Sequence, residues 1–418
     1  MNILLVGATG FVGRHLLRAL QQAGHRVIAT CREPRDQSWP GVEWRSLDLG
    51  LLAADPKHFS FPDAVDLVIN AAGVLSVDVR ALGLVQDQGA RVLFDQAAQR
   101  GVRVLQISAL GASAQSDVPF LCSKGVADDY LLGLGMASVV LRPSLVIGAG
   151  GTSSAWLAGL SPWPLIPLLD LKARLQPVHI DDLVGAVLAL LRQWPSESMV
   201  LPLVGPEAMR LCEVIDHLRA AQGWGPGRYL QVPGPLLGLG SWLGERLGWR
   251  ALNRQSLALA QRDNVAEPQV LASVCGYSAA SLPSRLQDWP TSALSSQRAL
   301  RPLMLAVLVL IWLGTAAVCL GPGYDWGLRI LAEAGVQGAW AALAVIAGAA
   351  CDGLLGLGLL FKRWRRRALQ LQLLLMLGYT LCISLILPHY WFDPYAAVAK
   401  NLVLMVATLW LVWTEPRQ

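Results

Sequence analysis

Hydrophobic and polar positions divide the chain into two regimes, with the change near residue 300. In the first, short apolar runs at 3–6, 25–30, 42–49, 65–69, 102–107 and 138–147 alternate with mixed stretches such as 14–22, 89–99 and 183–194. Short, nearly unbroken apolar runs read as strands covered on both faces, and the mixed stretches as helices between them. Strand alternating with helix predicts an α/β fold with a doubly wound parallel sheet, here over a domain at 1–195. Beyond residue 150 the alternation fades and the proline-rich 161–167 interrupts it, predicting a small α/β subdomain at 196–290. In the second regime, runs at 302–320, 336–361, 368–387 and 395–413 are each long enough to cross a hydrocarbon core about 30 Å thick. They predict an all-α four-helix transmembrane domain at 301–418, reached through a linker at 291–300.

The chemistry begins where the first strand ends. Gly7, Ala8, Thr9, Gly10, Phe11, Val12 and Gly13 follow the run 3–6 directly and open a helix. In this pattern Gly7 permits a tight turn, Gly10 lets the backbone approach a pyrophosphate, and Gly13 lets helix and strand pack closely. The helix N-terminus then presents free N–H groups and a partial positive charge to the phosphates. The second strand ends at Cys31-Arg32, beside the expected adenosine ribose. An acidic residue there favours NAD(H); Arg32 favours the 2′-phosphate of NADP(H), with Glu33 one position on as a counter-indication. Asp48 and Leu49 close the third strand at the adenine edge, and Ala71, Ala72 and Gly73 close the fourth with side chains small enough for a cofactor to lie against the backbone.

Hydrophobic residues make up 54% of the 418 and charged residues only 15%, too apolar for a chain that lies wholly in water. The net charge of +5 matters less than its distribution. Arg298 and Arg301 precede the first apolar run, and Lys362, Arg363, Arg365, Arg366 and Arg367 separate the second from the third. Basic loops stay cytoplasmic, so four spans place both chain ends inside, with an inner-membrane location and the nucleotide domain in the cytoplasm. The seven cysteines show no metal-ligand spacing, and no metal site is expected. The N-terminal strand is not a leader sequence, and no basic, aromatic-interleaved block in the first 290 residues favours nucleic acid. Val178-His179-Ile180-Asp181 opens a helix, where His179 and Asp181 read as caps. The apolar 235–249 reads as a core helix or as cover for an apolar substrate. Asp352 interrupts the second apolar run ten residues before Lys362, about 15 Å from the basic edge and near the membrane midplane.

Taken in order, Gly7 to Gly13, Asn70-Ala71-Ala72-Gly73, Ser108, Lys124, Arg142-Pro143-Ser144 and Val178 to Leu183 resemble the short-chain dehydrogenase/reductase superfamily in its extended or atypical branch. The run from Ile107 to Ala112 and Arg262-Asp263-Asn264-Val265 resemble, more narrowly, the group that includes the nucleotide-binding accessory subunit of respiratory complex I. The resemblance implies a Rossmann domain in which Lys124 holds the nicotinamide ribose and Ser108 donates to a substrate oxygen. The superfamily's reductases carry a tyrosine four residues before that lysine; this chain has Phe120. A phenol that exchanges a proton with the substrate contributes about 10²–10⁴ in rate. The C-terminal region, through Cys351 to Gly356 and Trp391 to Lys400-Asn401, resembles the DoxX-like four-helix membrane family. Two readings stand at this point. One is a membrane-anchored NADP(H)-dependent oxidoreductase, NAD(H) also possible, with a small apolar lipid- or quinone-like substrate. The other is a non-catalytic NADP(H)-binding sensor or assembly module with a membrane-protein partner.

Overall fold

The computed structural model describes every residue except 34–38, 75, 77, 236, 239–240, 242–245, 247–253, 288, 290–291, 394–395 and 416–418. Two compact units divide the chain, Met1–Ser296 and Gln297–Gln418.

In the first unit seven strands form one parallel sheet: β1 (Asn2–Val6), β2 (Arg26–Cys31), β3 (Glu43–Ser46), β4 (Leu67–Asn70), β5 (Arg103–Ile107), β6 (Ser138–Pro143) and β7 (Met199–Leu203). Their spatial order is β7-β6-β5-β4-β1-β2-β3. The central strands are apolar throughout because both faces are covered. Ile3 and Leu5 point to a layer with Leu16, Leu17 and Leu20 of α1 (Phe11–Gln22) and with residues 183–190. Leu4 and Val6 point the other way, to Leu52, Leu93, Phe94 and Leu131. That period of two is the strand's own geometry, and it sorts one apolar run into two cores.

The order reverses at β1, which has β2 on one side and β4 on the other. All strands run the same way, so the loops after β1, β2, β3, β4 and β5 open on one edge, and ligands of such sheets sit outside that edge at the reversal.

Several expectations shift in detail. The main sheet takes its last strand from beyond residue 195: Met199–Leu203 pairs with β6, so the expected boundary cuts the sheet. Pro202 hid this strand, and it is tolerated because β7 is an edge. The run 138–147 breaks at Pro143, and Val146–Ile147 pairs instead with Val178–His179. The helix expected at 183–194 is Ile180–Arg192, capped by His179, whose ring accepts from the Asp181 N–H at 3.3 Å. A third apolar cluster, including Ile147, Leu157, Ile166, Met209, Leu218, Leu282 and Trp289, forms the smaller lobe. The run 235–249 lies largely outside the described residues.

The second unit is helical. The helices Ser292–Leu320, Ala339–Leu360 and Lys362–Ile386 each hold a stretch long and apolar enough to span a membrane. The apolar part of the fourth helix, Val398–Thr414, is shorter. The first helix begins inside the stretch expected as a linker, because no proline falls between 291 and 301 to stop it. The first connection is not a bare loop but the helix Tyr324–Glu333, with Asp325, Arg329 and Glu333 four residues apart on one face. Glu415 pairs with Arg301, and with Arg365 at 3.7 Å, while Tyr390 donates to Glu333 at 3.2 Å. The Glu415 contacts put the start of the first helix, the start of the third and the end of the fourth at one end of the bundle.

The tightest point in the glycine loop of the first unit is Gly13, where an added Cβ would stand 2.1 Å from the Gly7 carbonyl oxygen. Gly13→Ala should therefore lower stability by about 1–3 kcal/mol or more, since only backbone movement relieves the clash. Thermal unfolding in detergent checks this; a midpoint equal to that of the unmodified protein would contradict the packing described.

Candidate functional site

The loop after β1 is built for close backbone approach. Gly7 has φ +78°, and a Cβ on it would stand 2.8 Å from the Ala72 backbone at the end of β4. Gly10 caps α1 with extended backbone and no side-chain hydrogen bond, leaving the helix N-terminus free of a side-chain cap. Thr9, Gly10, Arg32 and Gly73 are exposed around it, and Phe11 and Val12 are half-buried. Phe11 packs where Gly148 and Gly151 leave room for its ring. The cradle that glycines clear here is the shape a dinucleotide pyrophosphate requires.

Arg32 follows β2, its carbonyl accepting from the Ser46 hydroxyl at 2.9 Å. Asp48 is engaged structurally. Its Oδ1 accepts from the Gly50 N–H at 2.7 Å and caps the helix Leu49–Ala54, whose first residue, Leu49, is buried. The Ala71 N–H donates to the Val6 carbonyl and the Ala72 N–H to Asn70 Oδ1, which fixes the small-residue turn beside the glycine loop.

Ser108 and Lys124 meet at the ends of β5 and β6. Lys124 lies on α2 (Pro119–Gly133) and is 5% exposed. Its Nζ donates to the Ile107 carbonyl at 3.0 Å and stands 3.6 Å from where a Gly73 Cβ would be. Burial pulls this ammonium down to about 8, with Asp128 opposing the shift. The folded state thus sheds this proton sooner than the unfolded chain. The cost of the buried charge is in force below pH 8 and fades as pH rises toward the ordinary lysine value of 10.5. The Phe120 ring lies one turn before it, its centroid 6.0 Å from Nζ, so the aromatic place is kept and the hydroxyl is not.

Sequence reasoning missed the hub of this site. Asp128 is fully buried and accepts from Ser108 Oγ at 2.7 Å and from Arg142 Nε at 3.0 Å. Burial pushes its carboxyl up, against Ser108, Arg142 and Lys124, which favour the carboxylate. Its place four residues after Lys124, on the same face of one helix, was the available signal. The Ser108 hydroxyl is thus engaged with Asp128 in this structure. Gln86 and Ser123 join the same wall, the Ser123 hydroxyl donating to Gln86 Oε1 at 2.9 Å.

Residues 3–201 match the NAD dependent epimerase/dehydratase family, and residues 307–409 match the DoxX-like family. Ceramide reductase of Caulobacter vibrioides is 29% identical over 242 residues, covering 56% of this chain and 74% of that protein. NADH dehydrogenase (ubiquinone) 1 alpha subcomplex subunit 9 of Dictyostelium discoideum is 25% identical over 231 residues, covering 51% of this chain and 61% of that protein. The crystal structure of a nucleoside-diphosphate-sugar epimerase from Staphylococcus aureus has the same fold as the first unit, with a TM-score of 0.56 and 19% identity over 69% of this chain and all (100%) of the other. The chain is therefore a membrane protein that joins a Rossmann domain of the NAD dependent epimerase/dehydratase family, of short-chain dehydrogenase/reductase type, to a C-terminal DoxX-like domain.

Proposed function

We propose that this protein is an oxidoreductase that prefers NADP(H) and acts on an apolar, lipid-like substrate at the cytoplasmic face of an inner membrane. The observation that carries the reading is Lys124, a buried ammonium set beside Gly73 in the crevice that the glycine loop also lines. A nicotinamide bound there would supply or accept the hydride. The chain supplies the rest. Gly7, Gly10 and the N-terminus of α1 hold the pyrophosphate, Lys124 the ribose, and Arg32 the 2′-phosphate, with Asp48 and Leu49 at the adenine. Lys124, brought toward neutrality by burial, carries the proton nearest the missing phenol. Support for a lipid-like substrate comes from the membrane domain and from the relative named ceramide reductase. Phe120 favours a second reading, a nucleotide-binding module without turnover, and so does the relative named as a subunit of NADH dehydrogenase.

Three measurements test this. Arg32→Ala should cost about 10- to 100-fold in NADPH affinity and little in NADH affinity, the worth of a hydrogen bond to a charged group. Equal affinity of the unmodified protein for the two cofactors, measured by titration, would refute the assignment. Phe120→Tyr should raise reduction of simple carbonyls, by at most about 10²–10⁴. Fast turnover of such carbonyls by the unmodified protein would show that the phenol is dispensable. Cysteine labelling should find the 362–367 loop and the C-terminus inside and position 393 outside; reversed labelling overturns the orientation.

A further inference from the structure

We infer that the helical unit carries a binding site for the uncharged, hydrogen-bond-donating head group of a lipid, built around Asp352 and Gln372. This goes beyond the reading above and stands on the second unit alone, whether or not the nucleotide domain turns over.

The observation is a pair of acceptors without donors inside an apolar bundle. Asp352 is 8% exposed and Gln372 fully buried, yet Asp352 Oδ1 and Gln372 Oε1 have no hydrogen-bond partner among the described residues. The Gln372 amide is already fixed, its Nε2 donating to the Leu355 carbonyl at 3.2 Å, which holds the free oxygen between the second and third helices. An unpaired polar atom in hydrocarbon is costly, more so than in a soluble core where water can enter. Asp352 and Gln372 sit on neighbouring helices about one turn apart in level, judged from the Leu355 contact.

The neighbouring helices approach the second closely on this face: a Cβ on Gly353 would touch Ala316 at 3.6 Å, and one on Gly348 would press on the Tyr379 hydroxyl at 3.3 Å. The missing groups are donors, so the occupant brings hydroxyl or amide N–H groups. The occupant is uncharged: no cation stands at that depth among the described residues to match an anionic head, and a cationic one would need Asp352 to stay ionised in hydrocarbon, which is costly. Lys400 is exposed, and the basic loop begins ten residues from Asp352, about 15 Å along the helix. A phosphate head group is matched at that basic edge rather than here.

The test uses the full-length protein in nanodiscs with a photoreactive ceramide, whose head carries both hydroxyl and amide donors, against a photoreactive phosphatidylcholine. Cross-links of the ceramide probe should concentrate on segments 312–320, 348–356 and 372–380, and the phosphatidylcholine probe should not enrich there. Asp352→Leu and Gln372→Leu should each cut the ceramide yield about five- to tenfold, the worth of one hydrogen bond of roughly 1 kcal/mol. Thr408→Val, which removes a buried hydroxyl bonded to the Leu404 carbonyl of its own helix, should leave the yield unchanged. Where Asp352→Leu does not give a monodisperse protein, Gln372→Leu decides. Equal enrichment of the two probes, or unchanged ceramide yield in folded variants, overturns the site.

Discussion

The nucleotide end of the molecule depends on one backbone-to-backbone contact, Gly13 of α1 against the Gly7 carbonyl that follows β1. No side chain larger than hydrogen fits between them, so helix and strand meet closely enough for the loop from Gly7 to Gly10 to turn within a few residues. The consequences spread from there. Gly7 can lie against Ala72 only because α1 holds the loop inward, and that brings the ends of β1 and β4 side by side. Phe11, projecting from the first turn of α1, then fills the space that Gly148 and Gly151 leave. Glycines here clear space in three directions, and the space they clear is the open end of a helix with no side chain across it.

Charge is handled differently at Asp128 and Asp182, the buried carboxylates among the described residues of the first unit. Asp128 gathers Ser108, Arg142 and, through the field alone, Lys124, and so orders the groups around the crevice. Asp182 gathers Tyr277 at 2.9 Å, the Ala280 N–H at 3.2 Å and Arg285 at 2.6 Å, and so ties the helix Ile180–Arg192 to the chain's later segment. Removing the partner of such a pair is expensive because it strands a charge away from water. The two differ in completeness: Asp128 Oδ1 has no hydrogen-bond partner among the described residues, whereas both Asp182 oxygens are engaged. An unsatisfied oxygen on a buried carboxylate is the exception in folded proteins, and it sets Asp128 apart from Asp182.

What the sequence disclosed follows the physics of each element. The strands near the N-terminus were legible because two-sided burial demands unbroken apolar runs, and Ile3 to Val6 has no other reading that also explains the glycines. β7 was not legible, since Pro202 and the half-exposed edge position of Met199–Leu203 erase that signature. Lys124 and Phe120 were legible through the resemblance to the dehydrogenase/reductase pattern; Asp128 was not, because a carboxylate on a helix is usually at the surface and only the packing of β5 and β6 against α2 puts it inside. Asp48 shows the opposite case. Its place after β3 is as expected, and its oxygen is engaged in capping a short helix, which strand-end position alone does not reveal.

The two units solve burial in opposite media, and the comparison explains the second one. In the sheet, Leu4 and Leu5 are fully buried, whereas among the apolar helices Leu310 is 72%, Val403 71% and Leu385 82% exposed. In water such a surface would drive association; in lipid it costs nothing, and close packing with a few polar contacts has to hold the helices together. The polar residues accordingly turn inward, with Gln372 and Thr408 fully buried and Thr380 nearly so. At one end, Glu415 holds Arg301 and Arg365 and so closes the bundle where charges can still reach the head-group region. Deeper in, Thr380 and Asn401 approach to 3.5 Å, and Thr408 bonds within its own helix. Apart from the Gln372 Oε1, each of these groups has an identified partner within the bundle. Asp352 Oδ1 has no hydrogen-bond partner among the described residues, and an ionised carboxylate would be hard to keep at that depth, so protonation or a partner has to offset its cost.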